Sequence, residues 1–500
     1  MVNMKLAMFG TFLALLLLGG YVSMKQTRTV GDFVVGGRSI GPWMSAFAYG
    51  TTYFSAVIFV GYAGKLGWGL GVSTLWIGVG NAILGSFLAW KVMARRTREM
   101  SERLHAVTLP ELLNRRYDSP GLKTFAAAVI FIFLVPYSAS VYMGLSYVIN
   151  EVLMIDYSIV LAIMALVTAA FLIMGGYKAV ALTDFVQGLI MIGGILLFVW
   201  KLFTHPAVGG FSAVLSKLSQ IDPQLAMVFP SEKARILSLG SLILLTSIGP
   251  WGLPQMIQKF FAIKEVEKIK AATWISTLFA LIIGCGAYGS GSLVRLFFNE
   301  LPVDPATGKA TVDLLMPKLI ATAVPEFLGM LILLLILSAS ISTLSSLVLV
   351  SSSTLVMDLV KPKLAPKISK ANEILLLRSL CLAFIFLSLL IALKKPAIIL
   401  NLMALSWGTV AGVFLGPFLW GLFWTKTTRL GAWAGALGGL ATSLGVALFS
   451  GFNAALVPIG GAAAMLVSLV VVPAVSLVTQ GFTEKHLNVV FGQVLAKEAE

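Results

Sequence analysis

Charge is scarce in this 500-residue chain: Lys, Arg, Asp and Glu together make up 11% of it, where soluble domains carry roughly 25%. The length would allow several soluble domains, yet no stretch has the charge density of one. Cysteine is nearly missing. Cys285 and Cys381 both fall in apolar segments, which argues against a disulfide framework. Histidine is equally rare, and His105, His205 and His486, in loops or the tail, offer no metal-cluster spacing. No Walker loop, His-Glu-x-x-His pattern or nucleophile elbow occurs, so ATP-driven transport and intramembrane hydrolysis have no support and the chain reads as a non-enzyme.

What the chain has in excess is apolar surface. Hydrophobic residues make 58% of it and the mean hydropathy is +0.95, which defines an integral membrane protein whose first partner is the lipid bilayer. The first apolar run, about 4–22, lacks a small-x-small cleavage pattern and is followed by Lys25 and Arg28, so it reads as a retained helix. Further spans are expected at about 42–64, 68–94, 123–149, 157–175, 183–203, 237–261, 271–296, 326–357, 374–393, 397–424, 430–450 and 456–479, about thirteen in all. The net charge of +15 does not imply nucleic acid, because the bases sit in connections between spans, as anionic membrane surfaces favour. If the spans alternate, roughly 25 of the 36 bases fall on one side. That side is expected to be cytoplasmic, with the N-terminus outside, the C-terminus inside and the protein multi-pass in the plasma membrane. The connections at about 204–236 and 297–325 read as partly amphipathic caps.

Spans two and seven carry mid-span interruptions, Gly50-Thr51-Thr52-Tyr53-Phe54-Ser55 and Gly249-Pro250-Trp251-Gly252-Leu253-Pro254. Proline removes a helical hydrogen bond and glycine relaxes the backbone, which frees carbonyls and N–H groups. Such backbone survives at membrane depth only when buried in protein or lining a cavity. Two interruptions five spans apart are the pattern of an inverted five-helix repeat with a central site; simple kinks are the alternative.

Span nine holds Ser338-Ala339-Ser340-Ile341-Ser342-Thr343-Leu344-Ser345-Ser346. At helical spacing Ala339, Ser342, Thr343 and Ser346 share a face, with Ser345 beside it. Those hydroxyls either offer hard oxygens to a small cation such as Na⁺, or bond back to their own helix and let neighbours pack closely. Asp184, at the head of the sixth span, is either an ion ligand or a helix N-cap. Lys259 reads as a cytoplasmic anchor, with a substrate ligand as the alternative. Tyr137, Tyr142, Asn150, Asn81 and Asn401 are either cavity-lining or interhelical packing residues, and Tyr53 and Trp251 are candidates for solute contact. Gly431, Gly435 and Gly439 make a packing face.

Five motifs in order give the chain a resemblance to the sodium:solute symporter family. They are Gly31-Asp32-Phe33-Val34-Val35-Gly36-Gly37-Arg38 with Gly41-Pro42-Trp43; Gly175-Gly176-Tyr177-Lys178-Ala179-Val180 with Thr183-Asp184 and Gln187; and Gly252-Leu253-Pro254-Gln255 through Lys259-Phe260. The serine stretch running into Ser351-Ser352-Ser353 and Met357-Asp358-Leu359 is the fourth. Gly416-Pro417, Gly421-Leu422-Phe423-Trp424 and Thr428-Arg429-x-Gly431-Ala432 form the fifth. The resemblance covers about 31–440. It implies an all-α integral membrane protein of about 13 transmembrane helices with a five-helix inverted repeat of LeuT-like architecture. Its parts would be a leading helix at 1–30, a transport core at 31–425 (repeats about 42–203 and 237–424), and two additional helices with a short tail at 426–500.

The resemblance also implies Na⁺ as the coupling ion, held by the carbonyls of Thr51, Phe54 and Ala339 and the hydroxyls of Ser342 and Thr343. A second Na⁺ site would use Asp184, Ser342, Ser345 and Ser346. The solute would meet Tyr53, Ser55, Tyr137, Pro250, Trp251 and Gly252. Proline-transporting members carry an aspartate where Tyr53 stands and lack the Pro250-Trp251 pair, and span four has no arginine for an acidic sugar. A small organic solute follows, a carboxylate such as an amino acid, pantothenate or a monocarboxylate, held by free helix N–H groups. One chain is expected to suffice for function. A channel, a membrane sensor and H⁺-coupled symport are the alternatives.

Overall fold

A computed structural model describes residues 2–24, 30–305 and 307–492; Lys25 and Arg28, behind the first span, lie outside them. Among the described residues twelve helical stretches are long and apolar enough to cross a bilayer. One of these, 57–103, is two crossings: Gly71, at φ 57° and ψ −134°, turns the chain between the second half of span two and the whole of span three. The described residues therefore make the expected thirteen crossings, and the short helices Val214–Ile221 and Leu315–Ala323 lie in the two expected caps. Cys285 and Cys381 are both free thiols.

Span nine, Glu326–Thr354, forms the axis of the bundle. From Met330 to Thr354 nearly every side chain is buried, although the serines would be equally at home in water. It packs against span four (Pro120–Leu153), span six and the first half of span two. Span eleven, Ile399–Phe423, is as fully enclosed. Span one and span ten (Lys370–Lys394) lie at the periphery, where exposed Leu15, Leu18, Leu382 and Phe386 face lipid.

The two interrupted spans are broken helices. Span two runs as Pro42–Tyr53 and then, after extended Phe54 (φ −108°, ψ 104°), restarts in a π-helical turn, Val57–Tyr62, and an α-helix, Ala63–Leu70. Ser55 caps the restart, its Oγ accepting from the Val57 N–H at 3.2 Å. Span seven runs as Lys233–Ile243 and a π-helical turn, tightens at Gly249–Trp251, and resumes as Pro254–Ala262. Leu253, held extended at φ −84° and ψ 124° before a proline, marks the corner. Two breaks five crossings apart make the five-helix inverted repeat of a LeuT-like architecture.

Small residues set the tightest crossings. A Cβ at Gly67 would lie 1.8 Å from the Gly291 carbonyl oxygen, and one at Gly439 would lie 2.0 Å from that of Gly412. Gly431 and Gly435 sit equally close to Ser476 and Val472 of span thirteen, so the glycine stripe of span twelve is the packing face its spacing implies. Backbone cannot yield as a flexible side chain does. Gly67→Ala is thus expected to cost at least the 1–3 kcal/mol typical of overpacking, read as a lower thermal midpoint of the purified protein in detergent. An unchanged midpoint would rule out this crossing.

The basic residues between spans three and four differ from a simple membrane-surface cluster. Arg98 and Arg116 are 5% and 1% exposed. Arg98 Nε donates to the Ile263 carbonyl at 2.7 Å, and Arg116 Nε to that of Gly421 at 2.9 Å. Arg38 reaches the carbonyls of Ser101 and Ala106. Arg98 and Arg116 thus close the carbonyl ends of spans seven and eleven, and Arg38 that of the helix Arg95–Arg103, where a helix leaves acceptors without intrahelical partners. Ile40 adds a two-bond bridge to span seven, its N–H donating to Ala262 O and its carbonyl accepting from Lys264 N.

Candidate functional site

The break in span two supplies the site's backbone. In a continuous helix the carbonyls of Thr51 and Thr52 would accept from residues 55 and 56, but the extended Phe54 removes both bonds. Span nine takes their place: Thr343 Oγ1 donates to Thr51 O at 3.3 Å and Thr52 O at 3.2 Å. Ser342 Oγ donates to Thr51 Oγ1 at 2.8 Å, and Thr51 Oγ1 in turn to Phe47 O. Ser346 Oγ lies 3.0 Å from Thr52 Oγ1. Thus of the five expected Na⁺ ligands the structure joins Thr51, Ser342 and Thr343 by direct hydrogen bonds. Phe54 and Ala339 are both buried, Phe54 at the break itself and Ala339 one helical turn before Thr343. Thr52 joins the cluster without having been singled out; it sat inside the interrupted stretch, and the turn geometry alone decides that its carbonyl and hydroxyl both face span nine.

Asp184 departs from the N-cap alternative. Gly176, at φ 57° and ψ −155°, ends span five, so span six starts at Gly176 and not near residue 183. Asp184 therefore lies two turns inside a membrane helix and is fully buried. Neither of its carboxylate oxygens has a hydrogen-bond partner among the described residues, although Ser342 and Thr51 face it. Ser345 Oγ, and both polar atoms of Gln187 one turn further along span six, are likewise unpartnered.

Lys259 is not a surface anchor. It is fully buried, with Nζ donating to Ser346 Oγ at 2.9 Å, 3.9 Å from Asp184 Oδ2 and 5.0 Å from the centre of the Tyr177 ring. Its position one and a half turns beyond the span-seven break gave the sequence reading no reason to turn it inward. The rotation of Pro254–Ala262 against spans six and nine decides it.

Beside the cation cluster lies a small cavity of about 10 Å³, lined by Tyr53, Ser55, Tyr62, Asn81, Thr246 and Trp407, among others. That volume is about one water molecule's worth, so the cavity as it stands is too small for a solute. Two polar atoms near it lack partners, the Tyr137 hydroxyl and the Trp407 indole N–H, although both side chains are buried. Tyr137 meets Trp407 edge to face, with ring centroids 5.6 Å apart. Tyr53 spans the cavity, its hydroxyl donating to Thr246 O at 2.5 Å. Asn81 accepts from Thr246 and Ser247, both at 3.0 Å.

Of the expected solute residues the structure gathers Tyr53, Ser55 and Tyr137 here. Trp251 instead turns its indole N–H to Leu84 O of span three at 2.9 Å. Pro250 and Gly252 lie outside the lining, Gly252 against the backbone of Ala411 and Leu415. Thr246 forms the span-seven wall. Trp407 had no sequence signal beyond an aromatic in an apolar span.

Two broken helices meeting a hydroxyl-lined third, beside a small cavity, define a LeuT-like secondary transporter. The profile of the sodium:solute symporter family matches residues 33–439, and the chain belongs to that family. It is a Na⁺-coupled symporter of a small organic solute and not an enzyme. The high-affinity proline transporter PutP of Bacillus subtilis is 31% identical over 434 residues, covering 85% of this chain and 89% of that protein. A sodium/pantothenate symporter of Haemophilus influenzae is 28% identical, covering 85% and 87%. Among solved structures, a substrate-bound, outward-open Na⁺-coupled sialic acid symporter superposes with a TM-score of 0.76 at 18% identity, covering 95% of this chain and 98% of that one.

Proposed function

We propose that the chain imports a small carboxylate together with Na⁺ by alternating access across the plasma membrane. In this reading the Na⁺ is held by Thr51, Phe54, Ala339, Ser342 and Thr343, with the basic side, and the C-terminus, in the cytoplasm. The observation that carries the reading is the pair of freed span-two carbonyls, Thr51 O and Thr52 O, facing the Thr343 hydroxyl. An ion at that point would replace these hydrogen bonds and bind spans two and nine to one another. Coupling requires such a difference between states, since a ligand shifts an equilibrium only by its differential affinity.

The solute reading rests on the cavity and on the relatives together. Proline and pantothenate, the solutes named for two relatives, are both carboxylates. The unpartnered Tyr137 hydroxyl and Trp407 N–H are donors suited to a carboxylate oxygen, and Ser55 stands at the start of the second half of span two, a helix N-terminus that favours an anion. The cavity holds about one water molecule, so solute binding requires its lining, Tyr53 included, to move. The 1–30, 31–425 and 426–500 segments then serve as leading helix, transport core and peripheral support.

The test is a thermal-shift screen of the purified protein against proline, pantothenate and short monocarboxylates, with Na⁺ or with K⁺ in its place. The transported solute should raise the midpoint in Na⁺ only, because binding to the native state alone adds stability: about 2.7 kcal/mol at a hundred times its Kd. Stabilisation that is equal in Na⁺ and K⁺ would sink the coupling assignment.

A further inference from the structure

We propose that the ammonium of Lys259 is a tethered cation that occupies the second ion position, so that the chain binds a single Na⁺. The inference rests on the Na⁺-coupled reading above and adds a property of this chain's own residues.

The position is built to receive a positive charge. Asp184 is fully buried, with neither oxygen hydrogen-bonded. The hydroxyls near it send their protons elsewhere: Ser342 donates to Thr51, and Thr51 to Phe47 O. Hydroxyl oxygens thus stand around a carboxylate that none of them hydrogen-bonds, an arrangement suited to a cation. Lys259 supplies that cation. Its Nζ bonds Ser346 Oγ at 2.9 Å and stands 3.9 Å from Asp184 Oδ2. The side chain has no route to water, being fully buried, and the Tyr177 ring covers it at 5.0 Å. A buried ammonium is retained only where it is paired.

A mobile Na⁺ at the same position would stand about 4 Å from this ammonium. At an effective dielectric constant of about 20 the repulsion weakens Na⁺ binding by about a thousandfold. The site at Thr51, Ser342 and Thr343 draws instead on neutral carbonyls and hydroxyls. The tether also has a mechanical consequence. Lys259 belongs to Pro254–Ala262, the half of span seven beyond the break, while Asp184 and Ser346 stand on spans six and nine. The charge pair thus holds that half-helix against span six and against span nine, which carries one side of the ion site.

The experiment counts radioactive Na⁺ bound at saturation to the purified full chain in neutral buffer, for the wild type, Lys259→Met, and Lys259→Met combined with Asp184→Asn. The expected counts per chain are one, two and one. Methionine keeps the length of the side chain and removes its charge, which leaves Asp184 to attract a second ion. Two ions in the wild type, or an unchanged count of one in Lys259→Met, would overturn the proposal. No bound Na⁺ in the wild type would instead overturn the Na⁺-coupled reading on which it rests. Should Lys259→Met fail to fold, the wild-type count decides by itself.

Discussion

Replacing Thr343 by alanine is expected to raise the Na⁺ concentration for half-maximal uptake roughly tenfold to a hundredfold, leaving a folded protein. The magnitude follows from the role of the hydroxyl. A hydrogen bond or oxygen contact to a charged partner contributes about 1.5–3 kcal/mol, and every 1.4 kcal/mol is about a factor of ten. Thr343 Oγ1 is the atom that bridges the two freed carbonyls of span two, at 3.3 Å and 3.2 Å, so its loss weakens the ion site at its centre. Ser342→Ala should act in the same direction, because Ser342 Oγ orients the Thr51 hydroxyl. Thr343→Ser keeps the oxygen and should restore most of the Na⁺ affinity, which separates ion ligation from methyl packing. Uptake into proteoliposomes at varied Na⁺ and fixed solute is the measurement. Unaltered Na⁺ dependence in Thr343→Ala would remove Thr343 from the site.

Asp184→Asn should be the most destabilising single change in the transport core, by about 3 kcal/mol or more, because it strands the ammonium of Lys259 in a buried position. Both side chains are fully buried, so no rearrangement at a surface relieves the charge. Combining Asp184→Asn with Lys259→Met removes both charges and should recover most of the loss. The energies of the two single variants and the double variant form a cycle whose coupling term isolates the pair. Denaturant or thermal unfolding of the detergent-solubilised chain measures it. Simple additivity, with a coupling term near zero, would mean that the 3.9 Å separation reflects proximity without energetic linkage.

These expectations rest on different kinds of information. The run of apolar spans, the thirteen crossings and the two helix breaks follow from composition and from glycine and proline placement, because bilayer thickness fixes span length and proline forbids one helical bond wherever it stands. Ser342 and Thr343 were legible for a similar reason: hydroxyls recurring at helical spacing must share a face. The sequence reading went astray at polar residues whose partners lie far along the chain. Asp184 left two readings open, ion ligand or helix cap, because nothing local reveals that the corner falls at Gly176, where φ is 57°. Lys259 looked like an anchor because it lies near a basic connection. Trp251 is a solute-contact candidate because it sits in a break; in this conformation its indole N–H faces Leu84 O, and Trp407, 156 positions later in the chain, stands at the cavity.

By itself, then, the sequence determined that this protein crosses the membrane many times, where two of its helices break, and which helix carries the hydroxyl face. Only the tertiary structure decided which polar groups meet in the interior. It turned Lys259 onto Ser346 and Asp184, set Arg98 and Arg116 on the carbonyl ends of spans seven and eleven, and aimed Thr52 as well as Thr51 at span nine. The physical reason is the periodicity of the helix. Each residue advances the side chain by about 100° around its axis, so a face is written in the sequence, but the neighbour that face meets depends on how each helix is rotated and shifted against the others. Close glycine crossings and buried charge pairs fix that rotation, and they exist only once the helices are packed.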